Sequence, residues 1–257
     1  MKIFSFTKKE ILSFMSVLLI GCCALTIGTA TAGKAISTAA TPRNIPIYSV
    51  NTDEKKVSIS FDAAWGNEQT EELLNTLDQY DVKATFFLVG QWVDNYPDSV
   101  KAIADKGHDV ENHSDTHAHI PQLSKEEMRE EIVNCNEKIK AITGKCPTLF
   151  RPPYGDYDNN VVSAVKNENM YCIQWDVDSL DWKDLSAAEI TERITSKIQP
   201  GSIVLLHNGA KNTPAALPSI IEGIRAQGYE LVPISELVPK GNYTTDHEGR
   251  MSIVNSQ

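Results

Sequence analysis

Two histidines four residues apart, His113 and His117, stand in a chain that has only six. At that spacing a helical turn can bring both imidazoles onto one cation, as nitrogen–zinc bonds of about 2.0–2.1 Å require. Further groups able to move protons or hold charge are scattered along the chain. They are Asp62 after Ser60-Phe61, Arg151 in Arg151-Pro152-Pro153-Tyr154-Gly155, Asp178 and Asp181-Trp182, and His207 after Leu205-Leu206. Each also has a plain structural use: Asp62 can cap a helix, Arg151 can close an ion pair, and His207 can be a satisfied rim histidine. Trp65, Trp92, Trp175 and Trp182 can serve simply as packing.

The elements that must carry these groups give them a common address. Short apolar, β-branched runs recur at Val57–Phe61, Ala84–Val89, His108–Glu111, Thr148–Phe150, Tyr171–Trp175, Ser202–Leu206 and Glu230–Val232. Between them lie segments of helical period: Glu71–Leu77, Val93–Ala104, a capping-box helix from Ser124 to a stop at Gly144, and a second from Ser186 to Ile198. Strands alternating with helices predict parallel βαβ units, and about seven of them without a nucleotide-type glycine loop predict a distorted (β/α) barrel. Asp62, the two histidines, Arg151, Asp178 with Asp181, and His207 all follow strands. They therefore share the rim on which such barrels build active sites. The residues alone point to a metal-assisted hydrolase.

Composition and charge exclude other classes. The chain has 257 residues, 41% apolar and 23% charged, with 14 Gly and 12 Pro, which suits one sizeable domain and excludes collagen-like and disordered readings. Residues 1–50 carry net +4 and residues 51–257 net −14, an acidic surface that would repel a nucleic-acid backbone. Lys8-Lys9 precede an uncharged stretch from Ile11 to Gly33, long enough to span a bilayer and oriented to send the rest outside. Residues 1–33 are accordingly expected to be a single-pass anchor in the cell membrane with an extracytoplasmic domain. The alternatives are a signal peptide cut near Ala30-Thr31-Ala32, giving a secreted protein, or a lipid anchor at Cys22. Residues 34–54 are expected to be a linker with a short edge segment at Ile45–Val50, 55–238 the domain, and 239–257 a polar tail that packs loosely or not at all. Cys135, Cys146 and Cys172 form no metal or disulfide pattern and are expected to be buried thiols.

Ser60-Phe61-Asp62, His113-Ser114-Asp115-Thr116-His117, Arg151 to Gly155, Asp178-Ser179-Leu180-Asp181-Trp182 and Leu205-Leu206-His207 stand in the order of five motifs. In these the chain resembles the polysaccharide deacetylase (NodB homology) family over about residues 55–238. With Ala63-Ala64-Trp65-Gly66 it resembles the sporulation-associated PdaB-like branch of that family. The resemblance implies a NodB-type barrel and a metal-dependent hydrolase that removes N-acetyl groups from amino sugars of a cell-wall glycan, peptidoglycan foremost, during sporulation. It implies a divalent metal, zinc first, on His113 and His117. Asp62 would be general base, Arg151 its orienting partner, and the Tyr154 backbone N–H an oxyanion donor. Asp181 would tune His207, the general acid, and Trp182 and Leu205 would wall the acetyl pocket. The family's first motif has a second aspartate as third metal ligand, and here that position is Ala63. The competing expectation is therefore a catalytically reduced domain that acts by binding glycan.

Overall fold

The first long strand, β2 (Lys56–Ala63), follows the two-residue β1 (Ser49–Val50). Along β2, Val57, Ile59, Phe61 and Ala63 enter the apolar layer under the helices, while Ser58, Ser60 and Asp62 face inward. Successive strand side chains point to opposite faces. The same alternation runs along β3 (Thr85–Leu88), where Phe86 and Leu88 face the helices and Phe87 the interior. Burial on both faces is what a parallel sheet wrapped by helices demands.

The computed structural model describes residues 7–9 and 43–254, and the chain divides into two units, Met1–Pro42 and Arg43–Gln257. The expected membrane segment Ile11–Gly33, its cleavage pattern and Cys22 lie outside the described residues. Among the described residues no helix is long and apolar enough to cross a membrane.

The remaining strands of the main sheet are β4 (Asp109–Asn112), β5 (Leu149–Phe150), β6 (Tyr171–Cys172), β7 (Val177–Asp178) and β8 (Ile203–His207). Their order is β6-β5-β4-β3-β2-β8-β7, every pair parallel, and β9 (Glu230–Leu231) pairs with the start of β2. The helices are α1 (Thr70–Gln79), α2 (Gly90–Asn95), α3 (Pro97–Asp105), α4 (Lys125–Thr143), α5 (Asn159–Asn167), α6 (Ala187–Thr195), α7 (Thr213–Ala226) and the one-turn α8 (Ile234–Leu237). Both capping boxes form, at Ser124 with Glu127 and at Ser186 with Glu189, and α4 stops at Gly144 in the left-handed region (φ 71°). The single helix expected over Val93–Ala104 is two. Tyr96, forced out of helical geometry by the following proline, sits at φ −132°, ψ 53°, and Pro97 opens α3.

The barrel does not close by strand pairing. Its edge strands β6 and β7 are joined by residues 173–176 alone, and a parallel pair needs a crossover of about a dozen residues or more. Ile47 fills the seam instead: its N–H donates to the Cys172 carbonyl at 2.8 Å, and its own carbonyl accepts from Gln174 N–H at 2.7 Å. On the other flank Val50 N–H donates to the Gly201 carbonyl.

The C-terminal segment expected to be loose is instead part of the fold. β10 (Tyr243–Thr245) and β11 (Arg250–Ile253) form a second sheet of order β1-β11-β10, and Met251 is fully buried beside Ile47, Val50 and Val232. The apolar residues of this segment, Met251, Ile253 and Val254, make too short a run to signal a strand amid polar neighbours, so tertiary contact decides it. Cys135 and Cys172 are buried and free as expected, but Cys146 lies past the end of α4 and is exposed.

Candidate active site

Asp62 and His207 are register partners on the neighbouring strands β2 and β8, so their side chains rise next to each other at the C-terminal rim. Between them opens a cleft of about 620 Å³, lined also by His113, His117, Tyr154, Asp181, Trp182 and Leu205.

Asp62 is almost wholly buried. Its Oδ1 accepts from Arg151 Nη1 at 2.7 Å, and its Oδ2 lies 3.4 Å from His113 Nε2. Burial alone would raise the Asp62 pKa, but the positive Arg151, with His113 and His207, overcomes it and holds the carboxylate below its usual range. Arg151 is fully enclosed after β5. Its Nη2 donates to Ser60 Oγ at 2.9 Å and to the Gln174 carbonyl at 3.2 Å, and its guanidinium lies 4.1 Å from the centre of the Phe87 ring.

His207 is the opposite case. Its Nδ1 is 2.7 Å from Asp181 Oδ1, and its backbone N–H donates to Asp181 Oδ2 at 2.8 Å. Thr213 Oγ1 donates to the same oxygen at 2.7 Å, so the buried aspartate is fully engaged. Burial disfavours the imidazolium, but the Asp181 hydrogen bond and charge outweigh it and raise the His207 pKa.

The two expected ligand histidines meet, though not on a helical turn. Their ring centres are 5.1 Å apart in an irregular loop after β4, in which Ser114 (φ 68°) and His117 (φ 61°) both take left-handed backbone. The neighbouring elements hold that strained loop. Asn112 Oδ1 accepts from Ser114 N–H, and Glu131 on α4 accepts from the backbone of Asp115 and Thr116 and from Thr116 Oγ1. His113 Nδ1 bonds the Arg151 carbonyl at 2.7 Å, which makes it the protonated nitrogen and leaves Nε2 with its lone pair. His117 Nδ1 pairs with the Tyr154 hydroxyl at 3.0 Å. Burial first, then His113, pushes the His117 pKa down to about 4, and burial lowers that of His113 too. Two imidazoles whose proton affinity is lowered are fit donors for a divalent cation. Among the described residues no group of three or more His, Cys, Asp or Glu completes such a site.

The position expected to lack a ligand, Ala63, offers no metal donor. Ala63 is fully buried among the helix-facing apolar residues, and Ala64 is the residue that lines the cleft, because strand alternation turns Ala63 away from Asp62. Asp115, a possible substitute, pairs with Lys138 at 2.7 Å. Tyr154 also takes left-handed backbone (φ 61°), and its ring stacks on His119 at 4.1 Å. The reading of residues missed Ser60, Thr213, Glu131 and Asn112. Only Ser60 carried a signal, two positions before Asp62 on the same strand face.

The sequence profile for polysaccharide deacetylase matches residues 49–173. The peptidoglycan-N-acetylglucosamine deacetylase of Bacillus cereus is 32% identical over 72% of this chain and 69% of its own. The chain belongs to the polysaccharide deacetylase family. Another relative, the uncharacterized protein YlxY of Bacillus subtilis, is 35% identical over 75% of this chain, which spans 60% of that protein's length. Among solved structures, a family pseudoenzyme from Bacillus anthracis superposes with a TM-score of 0.73 at 38% identity, covering 75% of this chain and 68% of that one. A mutant of the same pseudoenzyme with restored enzymatic activity superposes equally, at 39% identity. Family membership therefore spans active and inactive relatives.

Proposed function

We propose that this chain is a hydrolase that removes N-acetyl groups from the amino sugars of peptidoglycan. The observation that carries the reading is the opposed pair at the cleft: Asp62, whose carboxylate Arg151 stabilises, beside His207, whose proton affinity Asp181 raises. Neighbouring groups whose pKa values are driven apart are suited to opposite proton-transfer roles. In this reading Asp62 takes the proton of the attacking water, and His207 Nε2 donates one to the amide nitrogen, which otherwise leaves poorly. Arg151 orients Asp62, the Tyr154 backbone N–H faces the developing oxyanion, and Leu205 and Trp182 wall the acetyl methyl. His113 and His117 would hold a divalent metal, zinc foremost, which when bound acidifies water and polarises the acetamide carbonyl. The positive charges before Ile11–Gly33 support a membrane-anchored enzyme working outside the cytoplasmic membrane. The Ala63-Ala64-Trp65-Gly66 stretch supports a role in sporulation.

A second reading, a glycan-binding domain with reduced catalysis, is favoured by the two-histidine donor set and by the likeness to a pseudoenzyme. Acetate release from peptidoglycan and from N-acetylglucosamine oligosaccharides, measured with and without added zinc, tests the first against the second. Metal-stimulated release that Asp62→Asn and His207→Ala abolish is expected. Glycan binding with no release under any metal condition would make the chain a binder.

A further inference from the structure

Five large apolar side chains are exposed among the described residues, and the three aromatic ones, Trp65, Tyr154 and Trp182, all line the cleft. Tyr154 has His117 and His119 for partners, and Lys183 lies over the Trp182 ring. Trp65 is the most exposed at 63%, and its only ring contact is edge-on to His117, at 5.4 Å between centres.

Its backbone, by contrast, is held tightly. The Gly66 carbonyl accepts from the buried Trp92 Nε1 at 2.7 Å and from Asn208 Nδ2 at 3.4 Å. Asn208 is fixed in turn by its N–H to the Asp62 carbonyl and by Thr70 Oγ1. Gly209 lies so close beneath that a Cβ there would come within 2.7 Å of the Trp65 carbonyl oxygen. A fixed loop presenting an indole to solvent pays an exposure cost that folding does not recover. Around it the cleft offers the carboxylates of Asp178 and Asp184 and the ammonium of Lys211. Aromatic faces among hydrogen-bonding groups match a neutral, hydroxyl-rich ring with one apolar C–H face, and the acidic rim disfavours phosphate-bearing ligands.

We propose that Trp65 is a stacking platform for the sugar ring next to the one whose acetamide enters the cleft. It makes the site select oligosaccharide over monosaccharide, and it does so without metal, since no metal donor takes part in the stack. The inference rests on the glycan reading above and names the part of the glycan that the loop after Asp62 recognises.

The test is calorimetric titration of the full chain with N-acetylglucosamine and its tetrasaccharide, in the presence of a chelator. The wild type should bind the tetrasaccharide about tenfold or more tighter than the monosaccharide, in keeping with the weight of a buried Trp anchor. Trp65→Ala should remove most of that preference and leave monosaccharide binding unchanged, and Trp65→Phe should restore part of it. An unchanged preference in Trp65→Ala, with thermal unfolding like the wild type, would overturn the platform while leaving the glycan reading intact. A wild type that binds neither sugar, with chelator or with zinc, would overturn both.

Discussion

Replacing Arg151 by methionine keeps much of the side-chain volume but removes the guanidinium that is hydrogen-bonded to Asp62 and is the largest charge holding its pKa down. The guanidinium has no exposure and Asp62 almost none, so the variant strands a carboxylate in a nearly dry site. Removing one partner of a buried pair costs about 3–5 kcal/mol, a large share of the ~5–15 kcal/mol that holds a domain together. Part of that loss is independent of pH, because the bonds from Nη2 to Ser60 Oγ and the Gln174 carbonyl go as well, at roughly 1 kcal/mol each. The remainder titrates. In the wild type the Asp62 pKa is lowered, so its contribution is present above the unfolded value near 3.9 and is lost as pH falls through the folded value. Without Arg151 burial dominates and the Asp62 pKa rises above the unfolded value. The penalty is then greatest in alkaline solution and shrinks as acid neutralises the carboxylate. Urea unfolding of both proteins at pH 8 and pH 5 measures this by linear extrapolation. Arg151→Met combined with Asp62→Asn should recover most of the titrating share. A loss under about 1 kcal/mol at pH 8, or an equal loss at both pH values, would refute the charge-pair account.

Two further outcomes are expected. Glu131→Ala withdraws the acceptor of three hydrogen bonds from the loop carrying His117 and should cost about 1–3 kcal/mol in urea unfolding, with broadened His113 and His117 ring resonances; sharp, unshifted resonances would show that the loop holds itself. Met251→Ala should cost about 2–5 kcal/mol by leaving a cavity beside Ile47 and Val50, and an unchanged thermal midpoint would show that the second sheet does not contribute to stability.

Much of the fold and the candidate site was legible because it follows from local periodicity. Seven of the expected strand segments overlap strands of the structure, and both capping boxes and the Gly144 stop depend on contacts within four residues. The rim placement of Asp62, Arg151, Asp181 and His207 followed from their positions after strands. What was not legible depends on partners distant in sequence. β7 has two residues and is specified by β8, and β11, the middle strand of the second sheet, contributes Met251 to the core only because Ile47 and Val50 pack with it. The His113–His117 loop has helical spacing but takes left-handed backbone, sustained by Glu131 from another element.

The sequence by itself determined which residues gather at one end of the barrel, because strand and helix periods and five ordered motifs are local or linear information. Tertiary structure alone decided their states. The lowered Asp62 pKa and the raised His207 pKa depend on Arg151 being enclosed 89 residues away and on Asp181 being held by Thr213 across the α7 start. It also decided that Ala63 faces the helices and that Trp65 faces the cleft, since those directions are set by strand register and by the Trp92 and Asn208 anchors. Burial and charge proximity are properties of three-dimensional neighbours, and proton affinity follows them rather than the order of residues along the chain.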